Sequence, residues 1–186
     1  MSIRDALVRL YRRKETPLRI RPLVIAVLFL GCATTYANVP PADQQASEAA
    51  FARLKTLVGR WESQSGNKDA VTYELIAGGT ALLERDSSPD RPEMITLYHL
   101  DGNRLLLTHY CMAGNQPRMQ LRAFDAATGE AKFELVDATN LPNPAAGHMH
   151  SVAFRFLGAD EIATEWQFYE NGRAKMTEKT KFVRVR

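Results

Sequence analysis

The sequence predicts an all-β protein, a closed up-and-down antiparallel β-barrel of about ten strands with one N-terminal capping helix. Three observations support this prediction. Short runs of alternating apolar and polar residues recur after residue 59, turn-forming residues separate them, and one amphipathic stretch precedes them. The chain has 186 residues, of which 45% are hydrophobic and 24% charged, as expected for one folded domain.

Residues 1–37 are predicted to be a signal peptide. A basic stretch ends at Pro22, the apolar run LVIAVLFL follows, and small residues at Thr35 and Ala37 allow cleavage before Asn38. The run is too short to span a bilayer, so we expect no stable membrane span after processing and a periplasmic or secreted protein. Two alternatives remain open: an uncleaved leader, and a lipid anchor on Cys32, which follows Phe-Leu-Gly.

The charge distribution argues against a nucleic-acid partner. The leader holds seven basic and two acidic residues, which leaves 17 of the 24 basic and 19 of the 21 acidic residues for the remainder. A domain with a slight acidic excess lacks the basic surface that nucleic-acid binding requires.

Residues 38–43 are predicted to be a linker, and residues 44–186 the barrel domain. Asp43 can accept hydrogen bonds from the first turn of a helix, and Gly59 can terminate that helix. Between them, four apolar residues share one face: Phe51, Leu54, Leu57 and Val58. We expect this helix to cover one end of the barrel.

The strands follow from alternation and turn chemistry. They are predicted at residues 60–65, 69–76, 80–87, 94–100, 105–112, 119–125, 130–137, 148–156, 162–169 and 173–186. Asp101-Gly102-Asn103 and Asn171-Gly172 are strong hairpin turns. Short connections make consecutive strands antiparallel neighbours, and a sheet of this size is expected to close on itself.

Several segments resemble known proteins. LKTLVGRWES, with Gly59 and Trp61, looks like the start of the first strand in calycin-type barrels such as lipocalins and fatty-acid-binding proteins. LYHLDGNRLLLTHYCMAGNQPRM, DATNLPNPAAGHMH and EWQFYENG resemble an uncharacterised family of bacterial secreted lipocalin-like proteins of unknown function. The resemblance covers residues 51–183 and implies a barrel and export, but no reaction.

Alternation assigns the inner faces of two late strands. In residues 148–156 the inner side is expected to hold His148, His150, Val152, Phe154 and Phe156. In the following strand it is expected to hold Ile162, Thr164, Trp166 and Phe168.

The strand at residues 105–112 can be assigned only through its hairpin register. A three-residue loop would place Ile95 opposite His109 and turn His109 and Cys111 inward, and a one-residue slip would reverse both. Without the leader, Cys111 has no disulfide partner in the chain and is expected to be buried and inert.

Four potential metal ligands would then face the interior: His109, Cys111, His148 and His150. Such pairs suit zinc or copper, and a haem would need only one axial histidine. The alternative is that these histidines form hydrogen bonds inside the barrel. Catalytic sequence motifs are lacking, so a small-molecule enzyme is a second alternative.

The polar loop before the sixth strand offers a binding surface at the barrel mouth. Asn115, Gln116 and Arg118 could hold a polar ligand group there, or they could only stabilise the turn.

The preferred hypothesis is an exported, non-enzymatic barrel that binds a small apolar or amphipathic molecule in its interior. The expected cavity walls are Trp61, Phe154, Trp166 and Phe168. A tightly packed interior without a cavity is the structural alternative.

Overall fold

The computed structural model describes residues 42–66 and 68–186, which form one α-helix followed by ten strands. The helix is α1 (Gln44–Lys55), and a single 3-10 turn covers Ala77–Gly79. The strands are β1 (Gly59–Ser63), β2 (Ala70–Ile76), β3 (Ala81–Ser88), β4 (Arg91–Asp101), β5 (Arg104–Tyr110), β6 (Gln116–Asp125), β7 (Glu130–Thr139), β8 (His148–Phe156), β9 (Glu161–Glu170) and β10 (Arg173–Arg184). The expected leader and residues 38–41 of the expected linker lie outside the described residues.

The ten strands form a closed antiparallel barrel. Each strand pairs with the next along the chain, and β1 completes the circle by pairing with β10. This confirms the predicted fold class, and every strand lies within three residues of its predicted limits. Closure leaves no unpaired sheet edge, so all the polar backbone groups of the strands have partners available within the sheet.

Helix α1 begins where the sequence predicts and ends earlier. The Asp43 carboxylate accepts a hydrogen bond from the backbone N–H of Ala46 at 2.7 Å, which caps the first turn. The helix ends at Lys55 rather than at Gly59, which is already the first residue of β1. Val58 therefore leaves the predicted apolar face and is 42% exposed.

The apolar face of α1 closes one end of the barrel. Phe51 and Leu54 are buried there, and the helix packs against β4, β5 and β6. At the same end the Arg184 guanidinium, at the end of β10, donates hydrogen bonds to the carbonyls of Thr56 and Val58. We call this the helix end and the opposite end, where β2 and β4 begin, the open end.

The interior is filled over much of its length by aromatic side chains. Tyr98, Phe133 and Phe154 contact one another edge-to-face, with ring centroids 6.0 to 6.3 Å apart. All three are buried. The barrel is therefore a packed core here.

Two local registers differ from the sequence predictions. In the β4–β5 hairpin Asp101 pairs with Arg104 across a two-residue loop, so Thr96 rather than Ile95 lies opposite His109. His109 still faces inward, as predicted, because Leu105 and Leu107 keep the inner face of β5. In β8 the pairing skips one residue between Met149 and Ser151, which is a β-bulge.

The buried face of α1 supplies the first testable prediction. Replacing Leu54, which is fully buried, with Ala should lower the free energy of unfolding by about 2–5 kcal/mol, because it leaves a cavity between helix and barrel. Val58→Ala on the exposed side is the matched control and should change it by less than about 0.5 kcal/mol. Urea denaturation measures both, and equal effects would contradict the described position of the helix.

Candidate functional site

A cavity of about 50 Å³ lies inside the barrel towards the open end. Its walls combine polar and apolar side chains from several strands. The lining residues are Asp69, Val71, Tyr73, Glu84, Asp86, Arg91, Met94, His109, Met149, Thr164, Trp166, Glu178, Thr180 and Phe182. We call it the lumen site. Its volume allows a few water molecules or a very small ligand group.

Alternation on β3 and β4 places the polar residues of the lumen site. Leu82, Glu84 and Asp86 share the inner face of β3, and Leu82 and Glu84 are buried. On β4, Met94, Thr96 and Tyr98 are buried while their neighbours are more exposed. Glu84 is not among the predicted site residues, although its spacing of two residues from Leu82 places both side chains on one face of β3.

Glu84 is a buried carboxyl group among hydroxyl groups. The Tyr98 hydroxyl donates a hydrogen bond to Glu84 Oε2 at 2.6 Å. Burial raises the pKa of Glu84 from 4.5 to about 7, with a smaller rise from the nearby Asp86 charge. Hydrogen bonds from Tyr98 and Tyr73 act in the opposite direction. Glu84 therefore changes its protonation state near neutral pH.

The guanidinium of the lumen site is already paired. Arg91 Nη2 lies 2.5 Å from Asp86 Oδ1, and the Arg91 side chain is only 6% exposed. Burial raises the pKa of Asp86, and the Arg91 charge counteracts that rise. These two opposite charges offset each other, so neither compensates the charge of Glu84.

His109 presents a free nitrogen in this wall. Its Nδ1 lies 3.0 Å from the Thr96 hydroxyl, whereas its buried Nε2 has no hydrogen-bond partner. Its ring lies 5.0 Å from the ring of Trp166, measured between centroids. Burial, and secondarily the Arg91 charge, lowers the pKa of His109 to about 4, so the imidazole is neutral at physiological pH.

The other two histidines have separate surroundings. The bulge at His150 shifts the alternation of β8, so His148 lies opposite Tyr169 and His150 stacks on the Tyr169 ring at 3.9 Å. His148 Nε2 lies 3.3 Å from His150 Nδ1, and His148 Nδ1 lies 2.8 Å from the Ala146 carbonyl. Phe168 occupies the core, so its neighbour Tyr169 and the stacked His150 belong to the outer side.

The expected meeting of His109, Cys111, His148 and His150 is therefore not found. Within residues 42–66 and 68–186, no three His, Cys, Asp or Glu side chains are grouped so that they could hold a metal ion. Cys111 is buried, and its sulfur accepts a hydrogen bond from the Ala113 N–H. The bulge inserts one residue and changes the alternation of β8, so Met149 lines the lumen site whereas the buried His148 and the half-buried His150 do not.

The polar loop residues have partners within the protein and do not line the lumen site. Asn115 donates to the Gly147 carbonyl at 2.9 Å, and the Gln116 side-chain oxygen accepts from Thr139 and Asn140. These bonds join the loop before β6 to the loop before β8. Arg118 forms a two-pronged ion pair with Asp137, at an exposed position.

The four aromatic residues that were predicted to line the cavity are distributed along the barrel. Trp166 lines the lumen site, and Phe154 belongs to the packed aromatic core. Trp61 lies at the helix end, where its Nε1 donates to the Leu57 carbonyl and Arg184 covers its ring. Phe168 packs so closely under Gly147 that a Cβ there would lie 2.5 Å from its ring.

Comparisons with known proteins add a structural similarity but no family. No protein-family model matches the chain, and no curated protein sequence matches it. The molecule thus falls in the class of closed ten-stranded antiparallel barrels on its own topology. It is similar to the crystal structure of Rv2717c from M. tuberculosis, with 15% sequence identity and a TM-score of 0.49, over 74% of this chain and 98% of that chain. No helix in the described part is long and apolar enough to cross a membrane.

The ionisation of Glu84 leads to a pH-dependent prediction. Because the pKa of Glu84 is raised from 4.5 to about 7, its contribution to stability is present at low pH and is lost as the pH rises through 7. Glu84→Gln cannot ionise. When the pH is raised from about 5 to about 8, the free energy of unfolding of the variant, compared with that of the wild type, should therefore increase by about 2–3 kcal/mol.

Urea denaturation of both proteins at the two pH values measures this gain. Glu74→Gln, on the exposed side of β2, is the matched control and should show a pH-independent difference. A constant difference for Glu84→Gln as well would mean that Glu84 is ionised normally and is not buried as described.

Proposed function

We propose that this protein binds a small amphipathic molecule in the lumen site and that it performs no chemistry on it. The observation that supports this most directly is the buried Nε2 of His109, a residue that lines the cavity. This nitrogen has no hydrogen-bond partner among the described residues. An unsatisfied buried polar atom costs about 1–3 kcal/mol, and a bound ligand or water would recover that cost.

The walls of the cavity suit a molecule with one polar end. Trp166 and Met149 offer apolar contact, whereas Glu84 and His109 offer hydrogen-bond acceptors on the same cavity. Pockets with apolar walls and a few fixed polar groups are typical of small-molecule sites. The volume favours a small polar head group over a large flat cofactor such as haem.

Fluorine NMR of protein labelled with 5-fluorotryptophan tests this proposal. The chain contains two tryptophans, Trp61 at the helix end and Trp166 in the lumen site. Ligands from a library of small neutral, cationic and anionic molecules should shift the Trp166 signal and leave the Trp61 signal in place. The proposal would be contradicted if no member of the library shifts the fluorine signal of Trp166.

Two histidine variants show whether the free nitrogen matters. His109→Leu removes the acceptor and should weaken binding roughly tenfold, the equivalent of about one hydrogen bond. His150→Leu, on the outer side of β8, is the matched control and should bind as the wild type does. Equal affinity of all three proteins would show that His109 does not contribute to binding.

We also propose that the protein is exported and processed before Asn38, on the basis of the leader sequence alone. Expression in a Gram-negative host should give a periplasmic protein whose intact mass corresponds to residues 38–186 without lipid. Cys32→Ser should be processed identically. An acylated N-terminal Cys32 would instead indicate a lipid-anchored protein.

A further inference from the structure

Glu84 has no cationic partner among the groups that perturb it. Its hydrogen bonds come from tyrosine hydroxyl groups, and Asp86, the charged group that perturbs it, is also acidic. The Arg91 guanidinium, which lines the same cavity, is bound to Asp86. A buried carboxylate whose hydrogen bonds come from neutral donors, and whose neighbouring charge is another acid, is a site where a cation is stabilised.

Hydrogen bonds connect Glu84 to His109 through Tyr98 and Thr96, and the donor of each bond can be assigned. The Tyr98 hydroxyl donates a hydrogen bond to Glu84, so its oxygen can accept one from the Thr96 hydroxyl. Burial and Glu84 raise the pKa of Tyr98, and the hydrogen bond from Thr96 counteracts that rise. A Thr96 hydroxyl that donates to Tyr98 accepts from His109 Nδ1–H. His109 Nε2 then carries a lone pair and can act as an acceptor.

A ligand group that satisfies the acceptors of the lumen site must donate hydrogen bonds. Glu84 and His109 Nε2 both accept, and the half-buried Trp166 ring beside His109 offers the face that attracts cations. The cavity volume of about 50 Å³ fits a group of a few heavy atoms. An ammonium group has the right size, charge and number of donors.

We propose that the lumen site selects the ammonium group of a small primary amine, which would donate to Glu84 and to His109 Nε2 and lie against Trp166. This inference rests on the proposed function and names the class of ligand for the same site.

Binding should strengthen as Glu84 ionises. The titratable and charged groups that line the same cavity are Asp69, Tyr73, Asp86, Arg91, His109 and Glu178, and Tyr98 contacts Glu84 directly. His109 stays neutral above its pKa of about 4, and burial holds the pKa values of Tyr73 and Tyr98 above their usual range. With a pKa of about 7 for Glu84, the affinity for an ammonium ion should rise about tenfold between about pH 6 and about pH 8.

Three probes of similar size test the selectivity on the full chain: n-propylammonium, n-propanol and propionate. The fluorine signal of Trp166 reports binding, and at about pH 8 we expect n-propylammonium to bind at least about tenfold more tightly than the other two. Glu84→Gln should lose this preference and its pH dependence. Glu74→Gln should keep both, and a thermal melt confirms that each variant is folded.

The outcomes separate this inference from the proposed function. Tighter binding of n-propanol or propionate at Trp166 would overturn amine selectivity and leave small-molecule binding intact. If calcium or zinc shifts Trp166 and n-propylammonium does not, amine selectivity is overturned. If no probe and no library member shifts Trp166, both proposals are wrong.

Discussion

The pairing of β1 with β10 is the constraint on which the rest of the structure depends. Only three residue pairs join these strands, with Trp61 opposite Arg184 at the helix end. Arg184 strengthens this short seam, because its guanidinium lies over the Trp61 ring and binds the carbonyls that follow α1. Closure converts one face of the sheet into the interior of the barrel.

That interior is not uniformly apolar, and its polar groups reduce stability. A buried ion pair such as Asp86–Arg91 gains little over an apolar replacement, since removing both charges from water offsets their attraction. Glu84 is more costly still, because burial opposes its ionisation at neutral pH. Perturbed titratable groups that line a cavity are typical of binding and catalytic sites, which is why this wall supports a function better than the outer histidines do.

The loops at the open end hold the site in place. Asn115 binds the Gly147 backbone, and Gln116 binds the loop before β8, so two connections that are distant in sequence form one layer. Phe168 packs directly beneath this layer. The polar loop thus connects two parts of the structure. The side chains that we propose to bind a ligand lie on the inner faces of the strands instead.

The sequence by itself determined the strand number, the up-and-down order and the capped helix, because alternation, turn residues and helix caps are local. It did not determine which inner residues meet. The inserted residue at His150 placed Met149 rather than His148 and His150 at the lumen site, and the β4–β5 loop length placed Thr96 beside His109. The contact between Glu84 and Tyr98 joins two strands, and its position depends on the register of the closed barrel. Only the tertiary structure could decide it, since register and closure arise from pairing between distant segments.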